Sequence, residues 1–170
     1  LGLVEEFGAA RVFDTPLAEE GMMGIAIGAA LNGLYPIQTH IRADFSLLAM
    51  NQIVNLIAKY RYTYGGVFEA PMLIRAIIGR SWGQGPQHSQ SLQSIFAQIP
   101  GLTVVMPSSA QSVYSSYVNF AAEYKNPVIS FEHRFLYDYS FKHFDKAKSI
   151  DPLRASLVRS GKDFTIVACS

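Results

Sequence analysis

Three short and almost wholly apolar runs, residues 71–78, 102–106 and 127–132, constrain this chain more than any other feature. Each is the length of a strand, and each carries β-branched or aromatic side chains on successive positions, as strands buried on both faces do. Helical patterns separate them. Residues 46–60 put Met50, Ile53, Val54, Ile57 and Ala58 on one helical face. A short helix is predicted at 91–98 and a longer one at 108–124, the latter capped by Ser108 or Ser109. Upstream, 11–15 and 35–41 read as strands. Between them a helix is predicted with Thr15 as its cap, Pro16 in its first position and Asn32-Gly33 as its stop. Strands alternating with helices predict an α/β fold: three layers, with a mostly parallel sheet and helices on both faces. Beyond about residue 136 the pattern loosens. A polar linker is expected at 143–154, and strands at 153–159 and 164–169 that lead into something else.

The predicted first helix has an unusual charge distribution. Glu19 and Glu20 sit in its first turn, and no residue from 22 to 31 is charged. Carboxylates there complement the helix dipole, or supply a proton handle in a dry pocket. Gly24, Ala26, Gly28, Ala29 and Ala30 let a neighbouring backbone approach closely.

Composition excludes several classes. Apolar residues make up 49% of the 170 residues and charged ones 16%, which rules out a disordered chain. Fourteen basic against thirteen acidic side chains argue against a nucleic-acid-coating or polybasic membrane protein. One cysteine, Cys169, leaves no intrachain disulfide and no cysteine-based zinc site. A reducing compartment is therefore expected: the cytoplasm, or the mitochondrial matrix in a eukaryote.

Two motifs are decoys. Gly79-Arg80-Ser81-Trp82-Gly83 has the G-x-S-x-G form, but Gly83-Gln84-Gly85-Pro86 is a poor start for the helix that a nucleophile elbow requires. Its triad partners would have to be Asp138 and His143, in the loosest region. Gly83-Gln84-Gly85 opens like a dinucleotide fingerprint, but His88 stands where the third glycine belongs. His40, His88, His133 and His143 have no metal-like spacing. His88 is the exception worth a functional assignment, because it follows a glycine-rich loop beyond the end of a strand, where open α/β sheets place ligands.

An ordered set of short motifs spans residues 1 to about 138. It runs Val12-Phe13-Asp14-Thr15-Pro16-Leu17-Ala18-Glu19, Leu31-Asn32-Gly33, Ala43-Asp44-Phe45, Asn51-Gln52-Ile53-Val54-Asn55, Ala58-Lys59-Tyr60-Arg61-Tyr62, Gln87-His88-Ser89-Gln90, Pro100-Gly101-Leu102 and Asn126-Pro127-Val128-Ile129. Together these resemble the beta subunits of thiamine-diphosphate-dependent 2-oxo acid dehydrogenases, the pyruvate, branched-chain and acetoin types. The matching region is the family's transketolase-like pyrimidine-binding domain.

The resemblance implies a domain at 1–140 whose first strand lies upstream of Leu1. It also implies that 141–170 is a linker and the start of a truncated C-terminal domain. Glu19 falls on the glutamate that hydrogen-bonds the aminopyrimidine and favours the tautomer that deprotonates the thiazolium. Oxidative decarboxylation of a 2-oxo acid and acyl transfer to lipoyl groups follow in the family. Leu17 and Phe45 match ring contacts, and His88 matches a histidine implicated in lipoyl acylation. The implied partners are an alpha-type subunit that holds the diphosphate and its magnesium, a second copy of this chain in a heterotetramer, and a lipoyl-bearing acyltransferase. No Gly-Asp-Gly motif for the diphosphate occurs here. The backbone around Ala121, Ala122, Tyr124 and Asn126 matches a loop that binds structural potassium in some members. The run His40-Ile41-Arg42 departs from the family pattern; Arg42 would meet a substrate carboxylate or an acid on the partner. Alternatives are another thiamine enzyme, such as transketolase or deoxyxylulose-phosphate synthase, or a non-catalytic assembly module of the same fold.

Overall fold

The computed structural model describes residues 2–80, 83–141 and 144–169. Four strands, β1 (Ile37–His40), β2 (Leu73–Ile78), β3 (Thr103–Val105) and β4 (Val128–His133), form one sheet in the order β1-β2-β4-β3, and every pairing is parallel. Among the described residues five α-helices accompany them: α1 (Leu3–Phe7), α2 (Glu19–Leu31), α3 (Ala58–Thr63), α4 (Gln93–Ala97) and α5 (Ala110–Glu123).

The layers follow from the path of the chain. From β1 to β2 to β3 the chain moves one way across the sheet, and from β3 to β4 it turns back. Right-handed crossovers then require the last helix to lie on the opposite face from the earlier ones. The core obeys this. Ile74, Ala76, Ile78, Ile129 and Phe131 pack with Met23 and Ile27 of α2, with Ile53, Ile57 and Ala58, and with Phe96 of α4. Leu73 and Val128 face the other way, against Phe120, Tyr117 and Tyr124 of α5 and its end. The result is the three-layer α/β architecture that the sequence pattern predicts.

Local chemistry explains the clearest boundaries. Ser109 caps α5: its Oγ accepts from the Ser112 N–H at 3.1 Å, and Ser112 Oγ accepts from the Ser109 N–H at 2.9 Å. At residue 101 the chain passes directly over α3. A Cβ on Gly101 would stand 1.9 Å from the Ala58 carbonyl oxygen, and its φ of +92° is one that side chains disfavour.

Several segments differ from expectation. Residues 11–15 form no strand: Arg11 and Val12 close a turn onto the Gly8 carbonyl, and neither edge strand of the sheet, β1 or β3, pairs with them. α2 begins at Glu19 rather than Pro16, because Ala18, at φ −147°, lies outside the helical region. Thr15 therefore caps nothing. The single helix predicted for 46–60 is a longer helical passage of changing pitch: tight 3-10 turns over Ala43–Ala49, wide π turns over Asn51–Ile57, then α3. The predicted apolar face survives at Ile53, Ile57 and Ala58, which are buried.

The strands expected at 153–159 and 164–169 are absent. These residues carry no regular structure and expose Leu157, Val158, Ile166 and Val167, because no strand is beside them to complete a ladder. Only the stretch ending near Ile150 is fastened down, through Gln111 to the Asp145 and Lys148 carbonyls and from the Ile150 N–H to Ser115 Oγ. No helix among the described residues is long and apolar enough to cross a membrane.

Candidate active site at the carboxyl edge of the sheet

Parallel strands end together, and ligands bind where they do. β1 ends at His40, and the chain runs directly into the 3-10 turns that carry Phe45. β2 ends at Ile78, ahead of the loop that carries His88 in a short 3-10 turn, Pro86–His88. α2 packs on the segment after β1 and brings Glu19, its first residue, to the same edge.

Phe45 and His88 meet there. Their ring centroids are 5.2 Å apart with an interplanar angle of 72°, an edge-to-face contact. Phe45 is 36% exposed, so one part of its surface is open to a ligand. His88 is half-buried, and its Nδ1 is buried with no hydrogen-bond partner among the described residues. Glu19 is half-buried, whereas Glu20 is exposed and accepts a hydrogen bond from Gln52 Nε2 at 3.0 Å. Leu17 is not gathered with them: it is 96% exposed on the segment before α2.

A further side chain joins this edge that residue patterns did not assign. His40 is buried, and its Nε2 has no hydrogen-bond partner among the described residues. Burial pulls its pKa below the usual 6.5, and the Glu19 carboxylate opposes that shift without cancelling it. His40 is therefore a neutral imidazole at neutral pH, within electrostatic reach of Glu19. The only signal in the sequence was its place in a run that departs from the family pattern.

Arg42 is buried too. Its Nε donates to Gln84 Oε1 at 2.6 Å and its Nη1 to the Ile41 carbonyl at 2.9 Å. Burial and the Arg134 cation lower its pKa, and Asp44 raises it. It lines a cavity of about 380 Å³ with Thr39, Ile41, Arg75, Arg134 and Tyr137, on the face of the sheet that α5 covers.

Behind that cavity lies a polar cluster. Arg75 of β2 holds Glu132 of β4 by two parallel hydrogen bonds, 2.7 and 2.6 Å. Tyr117 and Tyr137 donate to the same carboxylate, and Tyr117 also reaches Ser130 Oγ at 3.1 Å. Burial alone would raise the Glu132 pKa, but the bonds from Arg75, Tyr117 and Tyr137 outweigh it and hold it below 4.5. The sequence did carry a signal here, since Arg75 and Glu132 are opposite charges in otherwise apolar strands.

At the end of α5, Ala121 and Ala122 are exposed. Tyr124 shares a 2.5 Å hydrogen bond with Thr103 Oγ1, and Asn126 Oδ1 accepts from Arg61 Nη1 at 3.3 Å. Among the described residues no group of three His, Cys, Asp or Glu side chains is placed to hold a metal ion. Ser81 and His143, two members of the hydrolase-like constellation, lie outside the described residues.

Comparison with known proteins then decides the family. Residues 1–139 match the family described as the transketolase, pyrimidine binding domain. The chain belongs to that family. Among its curated relatives, the mitochondrial pyruvate dehydrogenase E1 component subunit beta of Saccharomyces cerevisiae is 39% identical over 169 residues, 98% of this chain and 46% of the relative. The pyruvate dehydrogenase E1 component subunit beta of the alga Gracilaria tenuistipitata var. liui is 42% identical over 171 residues, 99% of this chain and 52% of the relative. The chain thus spans about half the length of the curated relatives it matches. A solved structure described as a split gene transketolase, inactive beta4 tetramer, superposes with a TM-score of 0.68 at 21% identity, over 89% of this chain and 46% of that one. That likeness supports the fold.

Proposed function

We propose that this chain is the pyrimidine-binding part of a beta subunit in a thiamine-diphosphate-dependent 2-oxo acid dehydrogenase. The observation that carries the proposal is the meeting of Phe45 and His88 at the carboxyl edge of the sheet, the edge at which Glu19 begins α2. The similarity to pyruvate dehydrogenase beta subunits supports the same reading.

The residues present suit the aminopyrimidine end of that cofactor. Phe45 offers a partly exposed aromatic face, and a half-buried carboxylate stands at a helix start. His88 Nδ1 and His40 Nε2 are buried nitrogens without protein partners among the described residues, and such atoms are costly unless a ligand or water satisfies them. The diphosphate and its magnesium fall to an alpha-type partner in this reading. A structural potassium would take backbone carbonyls around Ala121, Ala122, Tyr124 and Asn126.

Bound thiamine diphosphate supplies the electron sink for decarboxylation of a 2-oxo acid. The chain's own residues do the rest. Glu19 holds a proton at its carboxyl against a ring nitrogen. His40, whose burial disfavours the imidazolium, keeps a positive charge away from Glu19. Phe45 sets the plane of the ring. Leu17, exposed in this chain, becomes a ring contact once the partner subunit closes over it. His88 donates or accepts a proton at the reactive end during acyl transfer to a lipoyl group, the kind of task imidazole side chains perform. The assembly is a heterotetramer served by a lipoyl-bearing acyltransferase, in the cytoplasm or the mitochondrial matrix.

The test is Glu19→Gln in the full-length chain assembled with its partner. Turnover should fall on the order of 10²–10⁴-fold, the usual scale for one acid–base group, with the subunits still associated. Unchanged turnover would remove Glu19 from the mechanism. Retained thiamine diphosphate binding with transketolase-type turnover and no 2-oxo acid oxidation would instead favour the other thiamine enzymes.

A further inference from the structure

His88 stands on a loop that cannot position it unaided. Gly79, Gly83 and Gly85 all have positive φ, so the chain between β2 and α4 is rich in residues of high conformational freedom. Bonds within the loop are local: the His88 N–H and Ser89 Oγ both donate to the Gly85 carbonyl, at 3.3 and 2.9 Å. They shape the turn but do not fix it to the body of the domain.

Two side chains of the segment after β1 do so. At one end of the loop Arg42 donates to Gln84 at 2.6 Å. At the other, Asp44 Oδ1 accepts from Gln90 Nε2 at 2.7 Å and from the Gln90 N–H at 3.3 Å. Asp44 is buried, so its carboxylate is shielded from water and its bonds to Gln90 are charge-assisted. On the loop the two ties bracket His88 in sequence, at Gln84 and at Gln90. Asp44 immediately precedes Phe45, and Gln90 lies two residues beyond His88. The Phe45–His88 contact is thus enclosed by the Asp44–Gln90 tie.

We infer that Asp44 is a positioning residue: its tie to Gln90 sets the His88 imidazole against Phe45. A core residue of the same size would support the loop as well as Asp44 only if bulk were sufficient. The bonds specify polarity, which bulk does not. The consequence for turnover rests on the role proposed for His88; the placement of the ring does not.

The experiment exploits that polarity in the full-length chain assembled with its partner subunit. Gln90→Glu sets two carboxylates face to face and breaks the tie. Asp44→Asn keeps an acceptor oxygen and adds a donor, so the double variant Asp44→Asn/Gln90→Glu rebuilds the tie with donor and acceptor exchanged. The first readout is the rate at which diethylpyrocarbonate modifies His88, mapped by mass spectrometry. The second is the ratio of lipoyl acylation to reduction of an artificial electron acceptor. Gln90→Glu should raise the modification rate on the order of tenfold, the factor expected from losing one charge-assisted hydrogen bond, and the double variant should return it most of the way. An unchanged rate in Gln90→Glu, or a double variant as reactive as Gln90→Glu alone, would overturn the inference. A raised and rescued rate with an unchanged activity ratio would uphold the placement of the ring and overturn the proposed role of His88 instead.

Discussion

The Arg75–Glu132 pair should fail asymmetrically when either partner is removed. The two side chains are not equally buried: Glu132 is 6% exposed and Arg75 31%. Arg75→Met leaves a carboxylate almost out of water with only tyrosine hydroxyls to support it. Removing one partner of a buried pair typically costs about 3–5 kcal/mol, and this variant should fall in that range. Glu132→Leu leaves a guanidinium that reaches solvent. Tyr137 is exposed, and Tyr117 keeps Ser130. The loss is then closer to that of single hydrogen bonds, about 1–3 kcal/mol. The double variant replaces the pair with apolar groups, a change that is often near neutral, so it should be more stable than Arg75→Met alone. Urea denaturation with an unchanged slope gives all three values. Arg75→Met costing no more than Glu132→Leu, or singles that simply add in the double variant, would refute the idea that burial of the carboxylate dominates.

The same cluster sets a pH response. Glu132 has a folded pKa below its usual 4.5, so its stabilisation is present above pH 4.5 and is lost as pH falls through the lower folded value. Tyr117 and Tyr137, whose pKa values are raised above 10 by burial and by Glu132, contribute below pH 10 and lose that contribution as pH rises through their higher folded values. Stability measured from pH 2 to 7 should flatten on the acid side in Glu132→Gln; an identical acid slope would exclude Glu132 as its source. Gly101→Ala should cost more than about 2 kcal/mol, because overpacking against the Ala58 carbonyl adds to the backbone penalty. Gly33→Ala, also at positive φ but with nothing within 4 Å, should cost only about 1 kcal/mol by thermal denaturation; equal losses would contradict the close approach.

Much of this fold is legible because parallel strands buried on both faces leave a continuous apolar signature. Residues 71–78, 102–106 and 127–132 each coincide, within two residues at either end, with an observed strand. The misses have a common cause. Residues 11–15 and 164–169 have strand-like composition, but composition does not reveal whether a neighbouring edge exists. The helix expected at 46–60 shows the right buried face at Ile53 and Ile57, yet the change from 3-10 to π pitch depends on packing against α2 and β2, which local periodicity does not encode. At the site, Phe45 is legible through resemblance alone, whereas Glu19 and His88 also stand out by position, at a helix start and beyond a glycine-rich loop. The Asp44–Gln90 tie joins residues 46 apart, and the isolated nitrogen of His40 is a product of burial among other elements, so no spacing rule points to either.

The most direct test of the account uses the full-length chain co-expressed with an alpha-type partner. Reduction of an artificial electron acceptor is followed with a panel of 2-oxo acids, with and without thiamine diphosphate and magnesium. Reduction that requires the cofactor and is strongest with one 2-oxo acid is the predicted result. No reduction by subunits that are assembled and loaded with cofactor would contradict the dehydrogenase reading.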